Sequence, residues 1–428
     1  WTGNFMLKKL KIIKINKFYK FFILVFVIAN IQLFAQEQKS TFSIQKNPTN
    51  SDYWWLEKNN FGIKPDNSHF QGKWELQTLK TTYKINILGQ YSEKKIYFNE
   101  SFIKHNFSDK TFLRIGRYYR DFSNYLNDRL SSGHMLVSHN AEPMLKVGLV
   151  TSQKIKKLDK ITFDFGIAHG IFDKNDFYTK SPLLHEKFLY MNIKKNNYQI
   201  SIGFVHEAMW GGSILGLGDQ PRTFKDFIKI FLSEDGEKME GDPHANALGS
   251  HLGITELFFQ KNNNNQILKL YYQHFFEDTS SLRFRNEIDG LWGTELKNYI
   301  PNTTILFEYL DTTHAFLDPP YQQDYYYSNY QYLSGWTYKN YIIGNPFVNT
   351  NGTKNGFEKV KVVHIGISGE IFASNYQIKV SRKININDNT KYKIGIGKTI
   401  KNKFNIKVFI VNDDNKNRGT GLTFSIFL

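Results

Sequence analysis

The chain contains no cysteine. Disulfides, thiolate metal sites, a cysteine nucleophile and a lipid-modified N-terminal cysteine are thereby excluded. Long apolar runs are also missing: nothing after residue 36 approaches the roughly 20 apolar residues that a spanning helix needs. That argues against an ordinary helical membrane protein. Negative charge is in short supply, with 39 acidic against 55 basic residues and a formal net charge of +16. The pI is about 9.4, yet no nucleic-acid recognition fold accompanies it, so nucleic acid is not expected as a partner. An Asn- and Lys-rich composition leaves the same basic surplus without any selection for binding.

Aromatic residues, in contrast, are plentiful. They make up 16% of the chain, with 25 Tyr and 37 Phe, while mean hydropathy is only -0.45. Strands apolar on one side and polar on the other produce that combination. The chain length of 428 suits either two or three soluble domains or one large β-architecture, and composition favours the latter.

The first 35 residues read as a secretory signal peptide. Met6 stands as the initiator, six lysines between Lys8 and Lys20 form a basic region, and FFILVFVIANIQLFA precedes a cleavage site after Ala35. Residues 36–70 read as a polar N-terminal segment in the periplasm, with a small helix near SDYWWLEKNN. From about residue 71 to 428 the strand period of two takes over. ITFDFGIA sets Ile161, Phe163, Phe165 and Ile167 on one face and Thr162, Asp164, Gly166 and Ala168 on the other. NYQIKVSRKI, FNIKVFIV and GLTFSIFL repeat the pattern.

Connections between these segments alternate in length. Short ones fall at 153–160, 194–197, 261–265, 300–302, 370–374 and 401–403. Long ones run over 118–142, 169–184, 211–249, 277–290 and 312–358. Short turns on one side and long loops on the other are the mark of an outer-membrane β-barrel. The expectation is therefore an all-β transmembrane antiparallel barrel with long extracellular loops. A direct count gives about sixteen strands, and KDFIKIFL (225–232) or GKWELQ (72–77) is a candidate for a further pair.

GFVHEAMWGG (203–212) looks like a zinc-hydrolase motif with Trp210 in place of its second histidine. Strand geometry opposes that reading, because adjacent His206 and Glu207 point to opposite faces and cannot share a metal. Ile200, Ile202 and Phe204 then face lipid, Trp210 reaches the outer rim, and His206 falls awkwardly on the lipid side. Either a bulge near Val205 resets the register or His206 lies above the bilayer. Other histidines (His134, His139, His169, His185, His244, His251) lie near outer strand ends, but no G-x-S-x-G elbow or other spacing singles out a nucleophile. GLGDQP (216–221) lacks the context of a nucleotide loop, and GDPHANALG lacks the ligand spacing of a calcium loop. No cofactor and no metal are expected.

DPPYQQDYYYSNYQYLSGW (318–336) offers flat rings among amides and carboxylates, which suits sugar binding. Packing of the loop over a barrel mouth explains the same residues equally well. Trp210, Tyr325, Tyr327, Tyr330, Trp336, Arg222 and Arg285 are the carbohydrate-binding candidates. With Arg117, Arg120, Arg129 and Arg283, the cations suit uronate carboxylates or lipopolysaccharide phosphates.

Several ordered blocks resemble the Wzi capsule-assembly family of bacterial outer membranes, in its Bacteroidetes-type form. They are SSGHMLVSHNAEPMLKVGL (131–149), LLHEKFLYMNI (183–193), GFVHEAMWGG (203–212), GDPHANALGSHLG (241–253), DGLWGTELK (289–297), ILFEYLDTT (305–313) and SGWTYKNYIIGNPF (334–347). The family-motif positions are Asn140, His185, Lys187, His206, Gly211, Gly212, Asn246, His251, Asp289, Trp292, Glu308 and Asn345. The resemblance implies a partly occluded barrel of about eighteen strands, without catalysis, acting as a lectin that holds capsular polysaccharide at the cell surface. Its partners would be that polysaccharide, outer-membrane lipid and lipopolysaccharide. Family members often carry a longer N-terminal helical region than residues 36–70 allow. A passive porin is the alternative, and a barrel-embedded lipid hydrolase the third reading.

Overall fold

The computed structural model describes residues 37–48, 53–63, 68–90, 95–155, 160–237, 246–277, 284–315, 324–349, 356–385, 390–413 and 418–428. The signal-peptide reading, His244 and Arg283 therefore lie outside the described residues.

Eighteen antiparallel strands close into a barrel. They are β1 (Glu37–Lys46), β2 (Ser68–Gln77), β3 (Thr81–Gln90), β4, β5 (Thr111–Arg117) and β6 (Leu145–Lys154). The fourth is interrupted, its parts Lys95–Phe98 and Ser101–Asn106 both pairing with β3. Next come β7 (Ile161–Ile171), β8 (Leu183–Lys195), β9 (Tyr198–Trp210), β10 (Ser250–Asn263), β11 (Gln266–Phe276) and β12 (Gly290–Lys297). The last six are β13 (Thr303–Asp311), β14 (Lys361–Ile371), β15 (Ser374–Lys383), β16 (Lys391–Ile400), β17 (Phe404–Asn412) and β18 (Arg418–Phe427). Pairing of β1 with both β2 and β18 completes the ring. Closure leaves no unpaired edge, which is why the barrel can be apolar outside and still satisfy its backbone.

The period of two does what it predicts. On β9, Ile200, Ile202 and Phe204 are exposed outward, while Ser201, Gly203 and Val205 turn to the lumen. Exposed Phe165, Leu189, Leu257, Leu270, Ile394 and Val408 continue the outer band.

Two expectations change. The stretch 36–70 is not a separate segment before the barrel: Glu37–Lys46 is a barrel strand, paired over its whole length with Gln77–Ser68. Its small polar side chains hid the alternation, since Ser40, Phe42 and Ile44 share one face with only two apolar residues among them. KDFIKIFL is no strand either. Phe224–Leu232 forms a helix, here α2, begun by a reciprocal cap in which Thr223 and Asp226 bond each other's backbone. GKWELQ does supply a strand, so β1 and β2 account for the count rising from sixteen to eighteen.

Within the loop end sits a second layer. A short helix, α1 (Trp54–Glu57), packs with loops 118–144 and 324–349 into the mouth of the barrel. Trp55, Phe122, Leu130, Met135, Tyr327, Trp336 and Phe347 belong to one buried cluster with wall residues Phe188, Val205 and Phe275. The folded loops thus share a core with the barrel wall.

Candidate functional site: the plugged lumen and its rim

Inward-facing glutamates stand among apolar neighbours in ITELFFQ and ILFEYL, and the loop 118–144 descends onto them. Glu256 accepts hydrogen bonds from Ser123 Oγ (2.8 Å), Tyr125 Oη (2.5 Å), Gln273 Nε2 (3.0 Å) and the Tyr190 hydroxyl. Glu308 accepts from Ser131 Oγ (2.7 Å), the Ser132 amide (2.6 Å) and the Tyr271 hydroxyl. Asn127 donates to Glu295 at 2.8 Å, and Lys269 pairs with the same carboxylate at 2.8 Å. Bonds of this kind, donated to ionised carboxylates out of bulk water, are about twice as strong as neutral ones. They anchor the loop as a plug.

Two glycines make this anchoring possible. Tyr190, Gly203 and Glu256 are neighbours in register on β8, β9 and β10. Tyr271, Gly293 and Glu308 repeat the arrangement on β11, β12 and β13. Each tyrosine lies across the glycine to reach the glutamate. A Cβ at Gly203 would sit 2.2 Å from the Tyr190 ring, and one at Gly293 would sit 1.9 Å from Tyr271.

The plug is also braced internally. Arg120 grips Asp128 through both carboxylate oxygens at 2.9 and 2.8 Å and donates to Val137 O. Burial works against the Asp128 carboxylate, but the Arg120 guanidinium overcomes it and holds the carboxyl below its ordinary pKa. For Asp121 burial prevails and raises the pKa, although Arg114 lies 2.9 Å away. Loop 324–349 closes over the top: Asn345 Nδ2 donates to Gly133 O (2.7 Å), Ser138 Oγ to Gly344 O (2.6 Å), and Asn140 Nδ2 to Ile342 O (2.9 Å).

One triad in the plug invites a catalytic reading. His134 Nε2 lies 2.8 Å from Ser123 Oγ, with Glu256 beside both, and Ser123 has a left-handed φ of 50°. The imidazole decides against it. Nδ1 accepts the Leu136 and Val137 amides at 3.0 and 3.1 Å, so in the neutral ring Nε2 carries the hydrogen and cannot take one from serine. All three side chains are buried, so no substrate reaches them.

Outside the wall, α2 covers a polar patch. His206 Nε2 meets His251 Nδ1 at 2.9 Å, and His251 Nε2 donates to Leu248 O at 2.8 Å. His185 lies against Phe227 and Phe231 of α2. Lys187 donates to the Phe231 carbonyl at the end of that helix. His206 thus does point outward, with the β8–β9–β10 register unbroken. Neither a bulge nor exposure above the barrel is needed, because the helix shields it. Trp210 is buried in the same cluster with Ile230 and Phe227.

The other expected positions divide by burial. Tyr327 and Trp336 are wholly buried among the loops and present no ring face. Gly211 accepts from the Tyr332 hydroxyl, and Gly212 turns the chain where a side chain would strike Pro182. Trp292 stacks on Tyr272 at 3.7 Å on the outer wall. Asn246, Arg222, Arg285 and Tyr330 are exposed, and Tyr325 is half-buried. Arg117 and Arg120 are engaged within the plug. Asp289, Asp311 and His314 are the grouping of metal-ligand type among the described residues. Their oxygens already accept from Tyr326, Tyr309, Thr313 and the His314 amide. Burial pushes the Asp289 carboxyl up to about 6. Glu256, Glu295, Ser123 and Ser131 escaped sequence reasoning. The available signal was a glutamate at an inward position of an otherwise apolar strand.

Fold and site together define a transmembrane-type β-barrel whose mouth is plugged by its own loops. This chain belongs to the family of capsule assembly protein Wzi, which matches residues 54–354. It is similar to the solved structure of Wzi from Escherichia coli, described as an outer membrane protein involved in group 1 capsule assembly and a carbohydrate-binding β-barrel. That match has 11% identity and a TM-score of 0.60, covering 92% of this chain and 85% of that one. A Rhodopseudomonas blastica porin mutant matches at 7% identity and a TM-score of 0.40, covering 92% and 99%. No curated protein sequence matches the chain.

Proposed function

We propose that this protein is a non-enzymatic outer-membrane lectin, exported through a cleaved signal peptide, that binds capsular or other surface polysaccharide and helps retain it on the cell. The plug is the observation that carries this reading. A lumen tied shut through Glu256, Glu295 and Glu308 suits a binding platform and opposes a diffusion porin. Family membership points the same way. The buried, wrongly protonated Ser123–His134 pair gives no support to a hydrolase.

The sugar-facing surface is assigned to the loop rim, where Tyr325, Tyr330, Arg222 and Arg285 are accessible. Stacking on tyrosine and charge-assisted bonds from arginine are the interactions such a surface offers. The outward apolar band faces lipid, with lipopolysaccharide phosphates beside the rim cations. Deleting the gene tests the function directly: polysaccharide should be shed into the medium. Unchanged retention on the cells would refute the lectin role.

A further inference from the structure

Charge is unevenly spread over the lumen wall. Inward-facing Asp164, Glu186, Glu207, Glu256, Glu295 and Glu308 lie on β7–β13, the side that takes up the hydroxyls and amides of loop 118–144 through Glu256, Glu295 and Glu308. The opposite arc runs through β15, β16, β17, β18, β1 and β2 and carries Lys379, Lys393, Lys407 and Lys73, separated by Ser425, Thr423, Ser43 and Thr41; Glu75 and Glu37 share that face but sit at the end of β2 and the start of β1, where Glu37 pairs with Lys39. We infer that this basic half-lumen is a binding chamber for an acidic glycan segment, its carboxylate or phosphate groups meeting the lysine ammoniums.

The lysines are placed and held there. Lys379 and Lys393 are direct cross-strand neighbours on β15 and β16. Lys379 lies 4.2 Å over the ring of Trp55, and Lys393 lies 4.7 Å over Phe409. Lys407 passes over Gly395, where a Cβ would come within 2.5 Å of its Cε, and donates to Gln377 Oε1 at 3.1 Å. Gln377 in turn donates to Arg129 O at 2.9 Å, which brings the exposed tip of the plug to the same place. The bare wall at Gly395 thus lets Lys407 lean toward its two neighbours.

No carboxylate forms an ion pair with Lys73, Lys379, Lys393, Lys407 or Arg129 among the described residues. The acids nearest by charge are committed elsewhere: Glu100 to Lys84 and Glu308 to the plug. Rings and one amide are weak substitutes for a counter-ion, and like charges gathered between low-dielectric walls focus a positive potential. Lys73 and Arg129 are exposed although they face the lumen, so water reaches the chamber. Hydroxyls and amides between the cations supply partners for sugar hydroxyls. A lysine acts as a point charge toward carboxylate and phosphate alike, so spacing along a chain, not headgroup geometry, is what the arc selects.

This inference rests on the proposed role in polysaccharide binding, and its test separates the two. The full chain, purified in detergent, is titrated calorimetrically with a short oligogalacturonate, a neutral galactan oligomer of equal length, and inorganic phosphate. Wild type should bind the acidic oligomer, and high salt should weaken that binding. The triple variant K379Q/K393Q/K407Q should bind it about tenfold or more weakly, with heat-modifiable gel migration unchanged. If the triple variant fails to fold, K393Q alone should give about a threefold loss. Equal binding by folded variant and wild type overturns the chamber, as does equal affinity for the neutral oligomer. Phosphate binding as tight as the oligomer would mean a small-anion site and also overturns it. Shedding after gene deletion reads the wider function independently: retention unaffected, with acidic binding lost in the variant, would remove the lectin role and leave the chamber standing.

Discussion

Tyr271 lays its ring across Gly293 and hydrogen-bonds Glu308, the residue paired with that glycine on the next strand. Glu308 then holds Ser131 of the plug, 177 residues distant in sequence. With Glu256 and Glu295, Glu308 is one of three inward carboxylates that hold the loop, and two of the bonds converging on it come from the plug itself. E308Q keeps the shape and removes the charge, so about 2–4 kcal/mol of anchoring should be lost. Planar-bilayer recordings should change from near silence to frequent openings. Silence in both proteins would mean that the plug is held independently of Glu308.

The glycine makes a separate prediction. G293A places a methyl group 1.9 Å from the Tyr271 ring and must push that tyrosine off Glu308. Thermal unfolding should fall by several degrees, and Y271F combined with G293A should lose less than the sum of the two single effects. Additive losses would show that the two residues are not coupled.

Acid should loosen the plug. Burial holds His134 and His139 below the usual imidazole pKa, with Arg120 also lowering both, while Glu256 lies 3.8 Å from His134 and Asp128 4.0 Å from His139. A released plug takes up protons near pH 6.5, but the bound plug does not. Its stability is therefore complete above about pH 6.5 and declines as pH falls, by up to about 1.4 kcal/mol per pH unit for each histidine. Protease nicking within 118–144 should rise between pH 7.5 and 5, and H134Q should flatten that slope. A pH-independent cleavage rate would contradict the assignment.

Ser123 should be chemically inert. A fluorophosphonate probe should leave it unlabelled, and S123A should retain polysaccharide binding while the plug becomes easier to displace. Labelling at Ser123, or acyl release from lipid A or phospholipid that S123A abolishes, would restore the hydrolase reading.

Helix α2 should lie against lipid. Phe224, Ile228 and Leu232 form an exposed stripe one turn apart, while Ile230 is buried against the wall. The absence of native cysteine allows single spin labels at 225, 228 and 232 without background. Oxygen should reach labels at 228 and 232 best, and a water-soluble relaxant the label at Lys225. The opposite ranking would place the helix in water.

Much of this protein is legible in its sequence. The period of two, the alternation of short turns with long loops, and a shared apolar parity on β9 follow from local geometry, which each strand obeys alone. The same parity puts His206 on the outer face, yet it points to a bulge or a place above the bilayer, because the helix that covers the ring is not visible in a strand pattern. Two segments misled for local reasons: β1 has too few apolar residues to display its alternation, and in α2 an amphipathic helix with apolar residues on two faces resembles a buried strand. What tertiary structure decided was which polar groups meet. Glu308 and Ser131, His206 and its covering helix, and Lys407 leaning over Gly395 toward Gln377 are brought together only by closing the ring and folding the loops inside it. Barrel closure converts positions far apart along the chain into neighbours, and no pattern of period two carries that information.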